Sequence, residues 1–443
     1  MTAPTWTHIS NPDALFAAYR TLHAQLVQQK NKGKFLLFIA QYAGMANRMQ
    51  GIVSAYALAL LTNRALVVVW TDFTVHLSDL LETPSFAWDF KVLPSALHSW
   101  LEQEPRHVIQ VLPDWSFPGV PAYEPGANIN GTMDSLLCSD LYHAWSSRHV
   151  VALLTWSNLL PFLYSNPHYK DFFERMFGSA ENVFGALARE VLRPSAAVRH
   201  HVRSLPQHTV AMHIRTLFEY SPRFQMSRRF EATFFACARR IAARHGTSST
   251  APVFLSTDRL MTRWRARQRL QARLLNPELG PGERMGEMQH MHGGQQGATP
   301  EKAPVVEKKR AIKAASDLWQ VALARQHVIS PWSTFSSVAL ALSNTSASDV
   351  KFAVATIGVC TPVTSVEIGS HAWQLVLAEL DARQIKTEGT QVGKSSFARC
   401  ISRSTLPAAA LRQTHKCYLR GCWPPWAVED PRSPHWANPR TGI

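Results

Sequence analysis

Four short segments set polar side chains directly behind runs of apolar residues: Gly44-Met-Ala-Asn47-Arg48, His213-Ile-Arg215, Ser256-Thr-Asp258 and Ser333-Thr-Phe-Ser-Ser337. In the second, one residue separates the imidazole of His213 from the guanidinium of Arg215, so on a strand both emerge on the same side. A guanidinium there forks onto phosphate oxygens through two hydrogen bonds. An imidazole can hold a ribose, a base or a phosphate. The plainer alternative is an Arg paired with a structural carboxylate beside a satisfied core His. In the fourth segment, Ser333, Thr334, Phe335 and Ser336 open a helix. Its first N–H groups have no partner within the helix, so hydroxyls and N–H groups can hold an anion or simply cap the helix. Asp258 can accept from two neighbouring N–H groups of guanine, or cap a helix. Gly44 allows a tight turn close to a ligand. Asn47 either faces that ligand or caps the helix after it, with Arg48 beside it. The segment is not GxGxxG, so the dinucleotide fingerprint is absent. Asp317, on the helix before the fourth segment, can orient that loop.

Such residues act together only if strands deliver them to one edge. Phe35 to Ala40 and Ala65 to Trp70 are continuous apolar runs, as parallel strands covered on both faces require. A helix is expected between them from about Asn47 to Thr62, completing one βαβ unit. An amphipathic helix over 11–29 precedes them, with Asn11 as cap, Pro12 in the first turn and Leu15, Leu22 and Leu26 on one face. Residues 73–180, rich in Pro and Trp, read as loops and helices decorating this first sheet. A helix over 183–203 reads as a bridge. The alternation then resumes: strand Thr209 to Arg215, helix Phe230 to Arg244 stopped by Gly246, strand Pro252 to Asp258, helix Ala311 to Arg325, strand His327 to Ser330 and helix Phe335 to Leu342. Gln289 to Arg310 has almost no core-forming residues and reads as a mobile loop. The expected architecture is α/β, with two Rossmann-like domains facing a cleft and ligands at the carboxyl ends of the strands. The units are an N-terminal helix (1–33), a first Rossmann-like domain (34–182), a bridge (183–207), a second Rossmann-like domain (208–380, with an insert at 265–313) and a C-terminal extension (381–443).

The 443-residue chain carries 46 Lys and Arg against 31 Asp and Glu, a formal charge of +15, with 46% hydrophobic residues. That balance excludes a disordered chain and suits a polyanion or a diphosphate as partner. Basic residues are scattered, except around Arg263 to Arg273 and Lys308 to Lys313, which argues against a nucleic-acid-binding face. No apolar stretch is long enough to span a bilayer, and Met1 to Ser10 lacks the pattern of a secretion signal, so the sequence reads as soluble or as lacking its anchor. The six cysteines include no CxxC pair. Cys417 and Cys422 have no zinc-spaced partners, and a disulfide-stapled tail and reduced thiols are both open. His290 and His292 fall in the loop-like insert and read as solvated. Asn130 and Asn344 begin glycosylation sequons.

The order of these segments resembles the fucosyltransferase superfamily of GT-B fold, most nearly its plant and algal branch of xyloglucan-type enzymes. The matching stretches are Gly44 to Arg48 with Ala55 to Arg64, Leu80-Leu-Glu-Thr-Pro84, Val183 to Val202 with Leu192-Arg-Pro194, Met212-His-Ile-Arg215 and Ile329 to Phe335; Cys417 and Cys422-Trp-Pro-Pro425 match more weakly. The similarity spans roughly 34–360. That branch usually has Gln where His213 stands, and the insert at 265–313 is a further departure. The resemblance implies transfer of L-fucose from GDP-fucose, with inversion, to an acceptor hydroxyl such as galactose of a cell-wall polysaccharide or glycan. It implies Arg215 on the β-phosphate, His213 and Asp258 on the nucleoside, and Ser333, Thr334, Phe335 and Ser336 lining the phosphate and guanine pocket. Asn47 and Arg48 would sit across the cleft near the transferred sugar. It also implies a Golgi setting with membrane anchoring outside this sequence. GDP-fucose is a co-substrate; no cofactor and no metal is expected, since no Asp-x-Asp motif occurs. Asp72 and Glu219 are candidates for the general base. The rival readings are a catalytically silent carbohydrate- or nucleotide-binding module, a protein O-fucosyltransferase and a nucleic-acid-binding protein. Acceptor, linkage, disulfide pairing and oligomeric state are left open.

Overall fold

Continuous apolar strands need cover on both faces, and both apolar runs of the first half have it. The computed structural model describes residues 6, 9–29, 32–40, 44–70, 75–83, 86–111, 136, 138–155, 158–178, 180–215, 228–244, 251–258, 260–270, 274–275, 303–330, 333–343, 351–356 and 359–362. Helix α1 (Pro12–Gln28) is capped by the Asn11 side chain, which accepts from the Ala14 N–H. Strand β1 (Phe35–Ala40), helix α2 (Met45–Thr62) and strand β2 (Ala65–Trp70) follow. β1 and β2 pair in parallel, Phe35 beside Ala65 and Ala40 beside Trp70. Leu36, Phe38 and Ala40 face the core shared with α2, whereas Phe35 and Leu37 face a second cluster with Leu97 and Leu101. Gly51 lets α2 come down on the sheet: a Cβ there would lie 2.4 Å from the Phe38 ring and 2.7 Å from the Thr155 carbonyl.

The stretch 73–180 holds more than loops and helices. After α3 (Leu77–Leu80), β3 (Leu81–Glu82) and α4 (Ser95–Gln103), strand β4 (Arg106–Val111) and strand β5 (Val150–Thr155) extend the first sheet to the order β2-β1-β5-β4, with β1, β4 and β5 parallel. Both strands depart from the expected loops and helices: β5 is a continuous apolar run that was passed over, and β4 lacks that pattern because this edge strand leaves Val108 exposed. Helices α5 (Leu141–Ala144), α6 (Leu160–Ser165) and α7 (Lys170–Phe177) complete this part.

The expected bridging helix over 183–203 is two helices, α8 (Ala180–Val191) and α9 (Ala196–His201), separated by β6 (Arg193–Pro194), which pairs with β3. Pro194 lacks an N–H and disfavours helix in the residue before it. The Ser195 hydroxyl restarts the helix by accepting from the Val198 N–H.

Strand β7 (Val210–Ile214), helix α10 (Arg228–Arg244), strand β8 (Val253–Thr257), helix α11 (Leu260–Leu270), helix α12 (Ala303–Leu323), strand β9 (Gln326–Ile329), helix α13 (Thr334–Leu342), strand β10 (Lys351–Thr356) and strand β11 (Val359–Pro362) form the second half. Its sheet has the order β11-β10-β9-β7-β8, parallel except for β11. Residues 265–270 and 303–313, counted in the expected insert, are helical; the rest of it lies outside the described residues, apart from Leu274 and Leu275. A disulfide joins Cys237 on α10 to Cys360 on β11, and Cys138 is also disulfide-bonded. The Cys237–Cys360 bond is not the tail staple considered from sequence. Cys400, Cys417, Cys422 and both sequons lie outside the described residues.

The two halves meet through helices α2, α8 and α13, which pack on one another. Gly185 on α8 makes that approach possible, since a Cβ would lie 3.1 Å from the Ala341 carbonyl. Arg189, one turn on, donates to the same carbonyl at 3.0 Å and so caps the C-terminus of α13.

Candidate functional site

In the second sheet the chain leaves β7 to one side for β8 and returns on the other side as β9. The carboxyl ends of β7 and β9 therefore flank the point where strand order reverses, the crevice that binds ligands in open α/β sheets. Pairing places His213 beside Ser256 on β8 and beside Ile329 on β9. Arg215, Asp258 and Ser330 stand just beyond the strand ends. The three sequence segments of this half thus arrive at one edge.

Strand alternation decides where His213 points. Val210, Met212 and Ile214 pack in the cluster on the α10 side, and Ala211 packs in the cluster containing α12 and α13. His213 shares the face of Ala211. Its Nδ1 lies 2.7 Å from the Ser336 Oγ. Its ring stacks on Phe335, with centroids 4.4 Å apart and planes 24° apart. The Nε2 is enclosed and has no hydrogen-bond partner among the described residues. Burial, and secondarily the Arg215 charge, push the His213 pKa down to about 3, so the ring is neutral. A neutral, unpartnered ring nitrogen is unusual in a buried setting. It offers one donor or one acceptor, according to which tautomer the Ser336 contact selects.

Arg215 donates from Nη1 to Asp258 Oδ2 at 3.0 Å, the side chains being 10% and 0% exposed. The expectation that Asp258 meets a nucleoside is corrected here: its carboxylate is sealed beneath Arg215 and aims the guanidinium, as in the plainer alternative weighed for that Arg. The Arg215 backbone N–H donates to Ser330 Oγ at 3.0 Å, and Ser330 Oγ and N–H both donate to the His213 carbonyl. Ser330 therefore locks the ends of β7 and β9 together. Sequence reading gave it no role, although a Ser directly after an apolar strand was the available signal.

Ser333 is the N-cap of α13 and makes no side-chain capping bond. The plain capping role for its hydroxyl is therefore absent, while its carbonyl receives the Ser337 N–H. Thr334 is half-buried, and Phe335 and Ser336 are buried. Asp317, expected to orient this loop, pairs with Lys313 one turn earlier on α12.

In the first half, α2 begins at Met45, with Gly44 as N-cap and no side-chain cap. Asn47 is the third residue of the helix and not its cap. It is half-buried, and its Oδ1 is enclosed with no partner among the described residues. Arg48 departs from the expected sugar contact. It is 1% exposed, donates from Nη1 to the Ala40 carbonyl at 3.2 Å and lies over the Trp70 ring at 5.1 Å. It braces the carboxyl ends of β1 and β2 from within the core. Asp72, Glu219, His290 and His292 lie outside the described residues. Among the described residues, no three His, Cys, Asp or Glu side chains gather as metal ligands, and no helix is long and apolar enough to cross a membrane.

Two such sheets, each with its ligand edge at the carboxyl ends of parallel strands, make this a GT-B fold, the class expected for the fucosyltransferase superfamily. A point mutant of Arabidopsis thaliana FUT1, solved in complex with GDP, shares it: the two chains are 14% identical, cover 79% of this chain and 82% of that one, and superpose with a TM-score of 0.55. Fucosyltransferase NodZ from Bradyrhizobium is 14% identical over 75% of this chain and 99% of its own, with a TM-score of 0.43. At this identity the likeness is one of fold. No protein-family model and no curated protein matches the chain.

Proposed function

We propose that the chain is a glycosyltransferase that moves L-fucose from GDP-fucose to an acceptor hydroxyl with inversion. The observation that carries this reading is Arg215, held by Asp258 at the reversal point of the second sheet, beside the unpartnered His213 nitrogen and the N-terminus of α13. As the bond between the sugar C1 and the β-phosphate oxygen breaks, negative charge grows on that phosphate. Arg215 and the first N–H groups of α13 are preorganised to meet it, and such fixed donors are often the largest catalytic contribution. The acceptor oxygen attacks C1 from the opposite face, and its proton passes to a base, for which Asp72 and Glu219 are the candidates. Phe335, Ser336 and His213 would hold the nucleoside side of GDP, with Ser333 and Thr334 at the phosphates. Asn47, on a helix packed against α13, would face the sugar. Arg48 and Asp258 enter as supports of these groups and not as contacts. The acceptor would be a glycan or polysaccharide hydroxyl.

The test is a thermal-shift titration with GDP, GDP-fucose and UDP in EDTA, followed by product analysis with glycan acceptors. A ligand that binds only the folded state raises its melting temperature. The reading requires a shift with GDP and GDP-fucose, none with UDP, and fucosylated product. Absence of any nucleotide shift in folded protein refutes it. A GDP shift without transfer or hydrolysis supports the silent-module reading instead.

A further inference from the structure

The second half carries its charge on one side. Helices α10 and α11, 17 and 11 residues long, hold nine arginines against one glutamate, more than half of the chain's formal charge of +15. Both helices bury one side in the same cluster, α10 through Phe234 and Ile241 and α11 through Ala266 and Leu270, against Met212 of β7. Their other sides form one outer face, across the sheet from His213, α12 and α13. The glutamate, Glu231, is 1% exposed and paired with Arg265 of α11 at 2.8 Å. Neither helix therefore puts an acidic side chain on that face.

The outer side of α10 has a pattern of its own. At about 100° per residue, Ala232, Ala236 and Ala243 share one line within about 40°. Arg228 and Arg239 run along one flank of that line and Arg229 and Arg240 along the other, all four exposed. A ridge of methyl groups lets the helix lie flush on a flat surface, while long arginine stems reach down on both sides. Beside it, α11 turns outward Met261 and Trp264, 46% and 51% exposed and one turn apart. We infer that the outer face of α10 and α11 docks on an anionic phospholipid bilayer. Guanidinium groups fork onto lipid phosphates through paired hydrogen bonds, and the indole of Trp264 suits the boundary between headgroups and acyl chains. A hydrated polyanion would leave Met261 in water, whereas that boundary accepts it together with Trp264. A second copy of the chain would bring like charges face to face. None of these residues belongs to the donor site, and a bilayer on this side leaves the side of His213 and the first half free.

The test is co-sedimentation of the full chain with phosphatidylcholine vesicles, with and without phosphatidylserine, at low and at physiological salt. Heparin and single-stranded DNA serve as comparison ligands. The proteins are wild type, Arg239→Gln with Arg240→Gln, and Trp264→Ala, each checked for an unchanged melting temperature. All the changed side chains are exposed, and Arg228→Gln with Arg229→Gln replaces the first pair if that variant unfolds. Wild type should bind phosphatidylserine vesicles and leave the neutral ones in the supernatant. The arginine change should weaken binding about tenfold to thirtyfold at low salt, because each arginine near an anionic surface contributes about fivefold. The Trp264 change should weaken it about threefold to tenfold, by the same factor at both salt concentrations, because apolar insertion is not screened. No sedimentation of folded wild type with phosphatidylserine vesicles overturns the inference, and so do variants that bind them like wild type. Tighter binding to heparin or DNA, indifferent to Trp264→Ala, overturns it as well and leaves a general polyanion surface.

Discussion

Replacing Arg215 should damage the protein in two separable ways, and the structure indicates how to separate them. The Asp258 side chain is 0% exposed and faces the guanidinium at 3.0 Å. Removing that guanidinium in Arg215→Ala leaves a carboxylate buried without its counter-charge, a defect of about 3–5 kcal/mol. For a cooperative unit of 150–250 residues this corresponds to a fall in melting temperature of about 6–20 °C. The loss of GDP binding expected in the same variant could then be blamed on unfolding. Replacing both partners, Arg215→Met with Asp258→Asn, removes both charges. A buried pair exchanged for neutral residues of similar size is often neutral or stabilising, so the double variant should recover most of the lost stability. It should still show no shift with GDP, because the group proposed to meet the diphosphate is gone. Thermal unfolding with and without GDP on the three proteins decides the matter. A double variant as unstable as Arg215→Ala refutes the electrostatic account of the pair. A double variant that responds to GDP like wild type refutes the assignment of Arg215 to the diphosphate.

Gly51→Ala should destabilise, although alanine is intrinsically better in a helix by about 1 kcal/mol; the new methyl meets the Thr155 carbonyl as well as the Phe38 ring. The backbone cannot swing aside, so a net loss of about 1–3 kcal/mol in chemical denaturation is expected, and a gain would show that the helix lifts off freely. Acidification should also destabilise. Burial holds the pKa of His213 down to about 3 and of His23 down to about 4. In the unfolded chain both take up a proton below about pH 6.5. Stability is therefore intact above that pH and falls below it, by up to about 1.4 kcal/mol per pH unit for each ring until the folded value is reached. Denaturation at pH 7.5 and pH 5 checks this, and a flat profile contradicts the burial of both rings. Ser336→Ala strands the second nitrogen of His213 and should cost about 1–3 kcal/mol while weakening GDP binding; unchanged affinity would remove His213 from the nucleotide site. Replacing Cys237 and Cys360 by alanine opens a link spanning 123 residues and should cost about 2–5 kcal/mol, read as a lower denaturation midpoint without reductant.

Strands β1, β2, β7, β8 and β9 were legible in the sequence because each is a continuous apolar run, the pattern that burial on both faces imposes. His213, Arg215 and the Ser333-Thr-Phe-Ser336 segment were legible because they follow such runs, where parallel sheets put their ligand edge. Strands β4 and β5 both escaped notice: β4 because this edge strand leaves Val108 in water and loses the pattern, β5 because its apolar run sits in a stretch whose Pro and Trp content read as irregular. The break in the bridge lay in plain view at Pro194, but the strong apolar periodicity on both sides of it favoured one helix. Partnerships were out of reach of the sequence. That Asp258 serves Arg215, that Ser330 ties β7 to β9, and that Arg48 turns inward to Trp70 depend on strand order and on which neighbour fills the space, and these are set by packing between segments far apart in the chain. The amino-acid sequence by itself determined which residues reach the ligand edge. Tertiary structure decided which of them keep polar atoms unpartnered at that edge and which hold the others in place, because a buried charge must find its counter-charge wherever the fold has brought one.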